Sequence, residues 1–435
     1  MNRFIFSFFV LLILSVVDVY SQTSTSSPFS RFGLGILNQD YSAEQSALGG
    51  SSVVYFNENV INSRNPATYS FYKPKSLLFS TAISTRVSQF STTESTQVEN
   101  NTNLSYVSIG MPVTERIFFS SGILPYSDIG YTVEHTESEL NFPDVDYVYT
   151  GNGGLSNYYI GASAKLNDML SVGVNASYIF GGLNRNRIVD FNDQDVFNVN
   201  ATDRTNITGV VYNSGLLFNK NLDDNRNVSF GLTYQGGARL NSRRALLATT
   251  YEFNNTVLVV KDTFQNFIDT GSITLPRQIS AGLSYYNDKW LFIANYSSQD
   301  WSDYQIEYND EIQSDSLNNT LSLSAGLQYV PNHNSSIRYW ERINYRMGAR
   351  YSRSYLTILD EPFMERSISF GLGLPHRSSK TLYNFSIEIG EKGATDASPY
   401  FFSTNTNYKL IKERFIRFSF GVTFKGIWFV KRKYQ

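Results

Sequence analysis

From about residue 75 onward the chain is dominated by stretches of roughly ten residues in which apolar and polar side chains alternate. A repeat of two is the repeat of a β-strand with unlike faces. In Leu170–Phe180, Leu170, Val172, Val174, Ala176, Tyr178 and Phe180 share one face, while Ser171, Gly173, Asn175 and Ser177 share the other. Leu321–Tyr329 sets Leu321, Leu323, Ala325, Leu327 and Tyr329 against Ser322, Ser324, Gly326 and Gln328. Ile416–Phe424 sets Ile416, Phe418, Phe420, Val422 and Phe424 against Arg417, Ser419, Gly421 and Thr423. Ile279–Tyr285 and Tyr383–Ile389 repeat the pattern.

A soluble sandwich also alternates, so the faces must be weighed. The polar face carries small residues plus Lys165, Arg346, Arg350 and Glu388, and the apolar face often ends in Tyr, Phe or Trp. Aromatics make up 15% of the chain and charged residues only 17%, yet mean hydropathy is −0.26. Lipid-facing and lumen-facing residues that cancel on averaging produce this combination.

Alternation predicts strands at 75–86, 103–113, 116–126, 155–166, 169–180, 206–219, 227–239, 275–286, 289–299, 319–330, 341–353, 366–375, 381–390 and 414–425. That is an even number, as single-chain bacterial barrels require. Connections after odd strands are long and those after even strands mostly tight, such as Thr114-Glu115, Asn167-Asp168 and Asn287-Asp288. A sandwich gives no reason for that asymmetry, whereas an outer-membrane barrel has long outer loops and short periplasmic turns. The expected fold is all-β: a transmembrane antiparallel barrel of about fourteen strands.

The N-terminus is expected to be a signal peptide over 1–21, with Arg3, an apolar run Phe4 to Val17, and Val19-Tyr20-Ser21 before Gln22. The run is too short for a membrane helix, although an uncleaved anchor is the alternative. Residues 22–74, with Gly33, Gly35, Gly49, Gly50 and the Asn65-Pro66-Ala67 turn, are expected to form a hatch in the lumen of the 75–435 barrel. A barrel of that size is too wide for its own side chains to fill. A disordered tether is the alternative.

Ser27-Pro28-Phe29-Ser30-Arg31-Phe32-Gly33-Leu34-Gly35, Ala47-Leu48-Gly49-Gly50 and Asn65-Pro66-Ala67 resemble the start of FadL-type outer-membrane transporters. Gly122-Ile123-Leu124-Pro125-Tyr126-Ser127, Leu275-Pro276, Trp301 with Tyr304, Trp428-Phe429 and Lys431-Arg432-Lys433 look like an uncharacterised branch of that group. The resemblance implies fourteen strands, an N-terminal hatch, and passive uptake of long-chain fatty acids or similar hydrophobic molecules. Ligand would pass a hatch held by Gly49, Gly50, Asn65, Pro66 and Ala67. A kink in the third strand would give a lateral exit near Gly122 and Pro125. A related branch serves protein-secretion machinery, so the alternative is a non-transporting partner subunit in an outer-membrane secretion or assembly complex. The 22–74 segment departs from the pattern in lacking continuous apolar runs.

Proline cannot donate to a β-ladder. Pro125 therefore either opens the wall or ends its strand at the outer rim, as the boundary at 126 favours. Lys165, Arg346, Arg350, Arg417 and Glu388 are expected in the lumen, against an anionic head group or bracing the hatch. The chain has no cysteine, which excludes disulfides, thiolate metal sites and cysteine nucleophiles. His135, His333 and His376 fall in different connections, so no histidine metal site is expected. His135 with Asp128, Glu134, Glu137, Asp144 or Asp146 is the one candidate base pair, without a positioned nucleophile. The acidic run Asp300 to Asp315 reads as an exposed loop, and 240–274 as an exposed apolar patch or a hairpin above the membrane. A net charge of −2 offers no basic field for nucleic acid. Expected partners are outer-membrane lipid, a hydrophobic small molecule and other outer-membrane proteins, with no cofactor and no catalysis.

Overall fold

The computed structural model describes residues 25–427, apart from 40, 93–94, 139–143, 192–195, 255–256, 310, 314–316, 333–334, 336–337, 359–360, 377–379 and 394–410. The expected signal peptide, His333 and the Trp428–Lys433 stretch lie outside the described residues. Fourteen antiparallel strands close into a transmembrane barrel. The first seven are β1 (Ser76–Ser91), β2 (Thr96–Pro112), β3 (Ile117–Glu137), β4 (Val145–Lys165), β5 (Leu170–Phe191), β6 (Asn198–Asn221) and β7 (Arg226–Gln235). The second seven are β8 (Gln278–Asn287), β9 (Trp290–Gln299), β10 (Thr320–Tyr329), β11 (Asn344–Ile358), β12 (Glu361–Pro375), β13 (Leu382–Gly393) and β14 (Lys412–Ile427). β14 pairs with β1 from Lys412↔Ser91 to Ile427↔Ser76, so the sheet has no outer edge there.

Alternation along each strand now has a direction. Val174, Tyr178, Leu323, Phe370, Phe385, Ile416 and Phe418 are exposed and point outward, toward lipid. Their neighbours Asn175, Ser369, Ser386 and Ser419 are buried, pointing into the barrel. At the end where β1 begins and β14 finishes, Trp290 packs on Tyr329 with ring centroids 4.3 Å apart, and Trp340 is exposed nearby in sequence before β11. Aromatic residues at one rim form part of the girdle such barrels place at the membrane interface.

Every expected strand is present, but the strands facing the far end run past the expected boundaries. β3 continues to Glu137, β4 begins at Val145, and β5 and β6 pair as far as Val189↔Val199. Residues 127–137, 145–154 and 181–191 are therefore strand rather than loop, because polar alternation above the membrane carries no apolar signature to mark it. The 240–274 region is the hairpin Ala238–Asn254 and Val257–Leu275, whose first arm pairs with the upper half of β6 (Asn198↔Tyr251 to Thr208↔Asn241). The acidic run is not simply exposed: Trp301 and Tyr304 are almost fully buried, and Gln305–Tyr308 pairs with the long hairpin.

Phe370 lies five residues above the end of β12, about 13 Å along the barrel axis for a rise of ~3.4 Å and a tilt near 40°. Phe370→Arg is expected to cost about 2–4 kcal/mol of stability in lipid vesicles. Urea unfolding followed by tryptophan fluorescence checks this, and a neutral result would place that face away from lipid.

Candidate functional site

Residues 27–72 run through the interior, and most of them are buried. A short helix, α1 (Ala43–Ser46), opens with a capping box: the Ser42 hydroxyl accepts from Gln45 N–H, and the Gln45 side chain accepts from Ser42 N–H. Gly49 and Gly50 follow with φ of +69° and +81°, the left-handed region that ends helices. Gly49 lies against the backbone of Ala349 on β11, and its N–H donates to Ser369 Oγ at 3.0 Å.

Asn65 organises the next turn. Its side-chain oxygen accepts from Ala67 N–H at 3.1 Å, capping the 3-10 helix Pro66–Phe71, and its Nδ2 donates to the Val53 carbonyl at 2.7 Å. Pro66 sits at the first helical position, where no donor is needed. The turn lies hard against β5 and β6: a Cβ at Gly173 would come within 2.5 Å of Pro66, and one at Gly215 within 2.1 Å of Asn65. Tyr69 Oη donates to Asn175 Oδ1 at 3.1 Å on β5.

Arg346 ties this segment to the far wall. It donates to Gln328, to Asn384 and, at 3.3 Å, to the Tyr55 hydroxyl. Arg350 donates to Glu365 and Glu388 at 2.7 and 2.6 Å and also to Gln39, and Arg417 donates to Glu388 at 3.2 Å. Lys165 departs from expectation. It ends β4 at the rim and pairs with Asp168 in the adjoining turn at 3.0 Å, because its strand runs out before the lumen is reached. His135 lies on the upper part of β3 stacked on Tyr147, and Asp128 accepts from Asn38 at 2.6 Å instead of serving a base. His376 lies just after β12, with its N–H on the Thr381 carbonyl.

The wall is split on one side. β2 and β3 are paired only from Pro112↔Phe118 to Val107↔Ile123. Six pairs at ~3.4 Å and a tilt near 40° place the fork about 15 Å above the rim, inside the apolar band. Gly122 marks the last tight approach: a Cβ there would meet the Val107 carbonyl at 2.7 Å. Above it, β3 bulges against β4 between Pro125 and Ser127. Pro125 therefore does not end a strand at the rim. The missing donor is accommodated in the bulge, and β3 continues for another turn-free run to Glu137.

Between the lumenal segment and the far end lies a cavity of about 360 Å³ that reaches this fork at Leu104, Leu124 and Pro125. Its walls are mixed: Asn157, Asn175, Asn213 and Gln278 alternate with Leu104, Leu124, Leu321 and Leu356. Part of a buried apolar cluster, Phe90, Trp301, Tyr355 and Leu356, also faces the cavity. Phe29, Leu34, Ile129, Leu155, Ile207, Trp301, Tyr304, Tyr355 and Phe363 belong to one buried cluster. Trp301 stacks on Tyr355 at 4.3 Å, and Phe29 meets Phe363 edge-on at 4.8 Å.

The family model of BamG matches residues 1–435. This chain belongs to the BamG family. No curated protein matches this chain. The toluene transporter TodX of Pseudomonas putida is similar in structure, with a TM-score of 0.56 at 16% identity over 90% of this chain and 98% of that one. The CymD monoaromatic hydrocarbon channel gives 0.54 at 14%, over 91% and 99%. A Pseudomonas aeruginosa FadL homologue gives 0.55 at 12%, over 87% and 96%. At such identities the likeness is one of fold, and this BamG-family chain has the FadL-type fourteen-stranded fold.

Sequence reading missed Ser30, Asn38, Tyr55, Arg86 and Glu413 as members of the site. Ser30 stands in the 27–35 stretch that carries the family resemblance, without a role there; the Arg86–Glu413 pair, 2.7 Å apart, joins strands distant in sequence.

Two outcomes test this arrangement. Arg350→Ala leaves Glu365 and Glu388 facing each other without their shared cation and is expected to cost about 3–5 kcal/mol, read by denaturant unfolding. Adding Glu388→Gln should recover part of that loss. Glu44, inside the lumenal segment, has its carboxyl held above the usual range by burial, with Arg346 opposing the shift. The protonated form then suits the fold, so its cost is absent below about pH 4.5 and grows as pH rises toward the folded value. Glu44→Gln should raise stability at pH 7 and remove this part of the pH dependence, as followed by thermal unfolding across pH 3 to 8.

Proposed function

We propose that this chain works in the bacterial outer membrane as a partner subunit of an assembly-related complex, presenting its hairpin to another protein. The hairpin carries the proposal. Arm Ala238–Asn254 joins β6 from Thr208 upward, thirteen residues above the turn at Asn221, or about 34 Å at ~3.4 Å per residue and a tilt near 40°. That height is beyond the apolar band. Leu247 and Ile268 share its outward face, and Val260 and Phe264 are exposed beside them; Phe264 is 52% and Ile268 56% accessible. Clustered apolar residues held in water mark an interaction surface. The family name points the same way.

A second reading rests on the fork. A cavity that reaches the fork between β2 and β3 would give a sideways route for a small hydrophobic molecule once residues 30–38 moved, and TodX and CymD are described as a toluene transporter and a monoaromatic hydrocarbon channel. On that reading the lumenal segment is a hatch that must shift at Asn65-Pro66-Ala67. The non-enzymatic reading belongs with both.

Native purification in mild detergent, followed by mass spectrometry of lipids and proteins, separates them. A stoichiometric protein partner that is lost in a Phe264→Lys, Ile268→Lys variant is the expected result. A stoichiometric fatty acid or hydrocarbon without a partner would move the function into the lumen.

A further inference from the structure

An uncovered strand edge leaves backbone donors and acceptors unpaired, and at the fork, where β3 leaves β2 within the apolar band, lipid offers no hydrogen bonds in exchange. Above the fork, β3 keeps β4 on one side, from Leu124↔Asn157 to Glu137↔Val145, but has left β2 on the other. The chain covers that edge with its own N-terminal segment. Ile36 and Leu37 pair antiparallel with Asp128 and Ser127, and Asn38 N–H donates to the Tyr126 carbonyl at 2.9 Å. Two residues further along β3, Ser30 Oγ donates to the Gly130 carbonyl at 2.9 Å and accepts from Gly130 N–H at 3.1 Å. Tyr126, Asp128 and Gly130 are alternate residues, the set whose backbone groups face one side of a strand.

From this we infer that the β3 edge from Tyr126 to Gly130 is an acceptor site for an extended polypeptide segment of a partner protein, held closed by residues 30–38. The occupant is a polypeptide because the site's recognition chemistry is that of a strand: backbone donors and acceptors at the spacing of alternate residues. The chain itself seats such a segment there. The seated segment pairs over only two residues; beside that strand it is held by Phe29 and Leu34 in the buried cluster, by Asn38 on the Asp128 carboxylate and by Arg350 on Gln39. Arg185 donates to the Gly33 carbonyl at 2.6 Å and Tyr355 to that of Gly35. Gly35 has φ +89°, and a Cβ on it would come within 2.4 Å of the Asp128 carbonyl. Close approach at that one position sets the closure, so a side chain there releases it. A two-residue strand is a weak competitor for a longer one that also reaches Gly130 through its backbone.

The inference adds a contact chemistry to the partner reading, yet its test does not depend on that reading. The probe is a synthetic, fluorescent peptide of residues 28–39, added to the full chain in detergent micelles. Gly35→Val is expected to bind it about tenfold more tightly than the unaltered chain. A peptide methylated on the backbone nitrogens of Ile36 and Asn38, with the same side chains, should lose that gain. Since the chain has no cysteine, Leu37→Cys with Ser127→Cys can be oxidised to lock the segment down, and locking should abolish capture until a reductant is added. Should Gly35→Val not fold, Ser30→Ala releases the Gly130 end with a smaller change. Equal capture by released and unaltered chains, or by the methylated peptide, overturns the site. Such a failure leaves native purification free to show a partner at the hairpin.

Discussion

A backbone polar group in hydrocarbon must find its partner within the protein, and the rest of this structure depends on that requirement. It forces fourteen strands to close, β14 onto β1, through an unbroken ladder of sixteen paired positions. It also explains the interior. A ring of this size leaves a lumen, and inward-facing Ser, Asn and Arg groups need partners there as much as strand edges do outside. Residues 27–72 supply them: Tyr69 for Asn175, Tyr55 for Arg346, the Gly49 N–H for Ser369. The lumenal segment is thus held by hydrogen bonds to the wall as well as by contact.

The charged side of the lumen follows the same logic at higher stakes. Arg350, Glu365, Glu388 and Arg417 form one linked set on neighbouring strands, and Arg86 with Glu413 forms another across the β14–β1 closure. Buried charges are tolerable only when each meets an opposite one. Since the partners come from different strands, these sets also oppose slippage: a shift of one residue would turn every one of these side chains toward lipid. Charge inside the barrel fixes register as much as it could ever meet a ligand.

Much of this was legible in the sequence, for a physical reason. Inside the apolar band every second residue must be lipophilic, so Leu321–Tyr329 and Ile416–Phe424 declare both strand and face. Above the band that pressure ends, and Thr136, Asn184 or Asp203 can sit on either face, so the upper halves of β3 to β6 carried no readable alternation. Asn65-Pro66-Ala67 was visible because a cap followed by proline is a local device. Ser30 and Asn38 were not, because their partners Gly130 and Asp128 lie about a hundred residues away and a backbone edge leaves no mark on composition. Lys165 misled for a related reason: alternation assigns it a face but says nothing about its height, and at the rim an inward-facing lysine finds Asp168 in the adjoining turn.

The two unusual features of the wall share one origin. A proline within β3 removes a donor, the strand bulges against β4, and the fork with β2 opens just below that point, between Ile123 and Pro125. A bulge increases local twist, and a strand that twists away from its neighbour frees an edge whose backbone groups need new partners. The chain answers with residues 30–38, brought there because the lumenal segment starts at the far end and runs back toward β1. Cavity, fork and seated strand are therefore one construction rather than three. Anything that draws residues 30–38 away from β3 exposes the edge and opens the cavity sideways in the same step, which is why a polypeptide that competes for that edge and a small molecule that leaves by it would be governed by the same few hydrogen bonds.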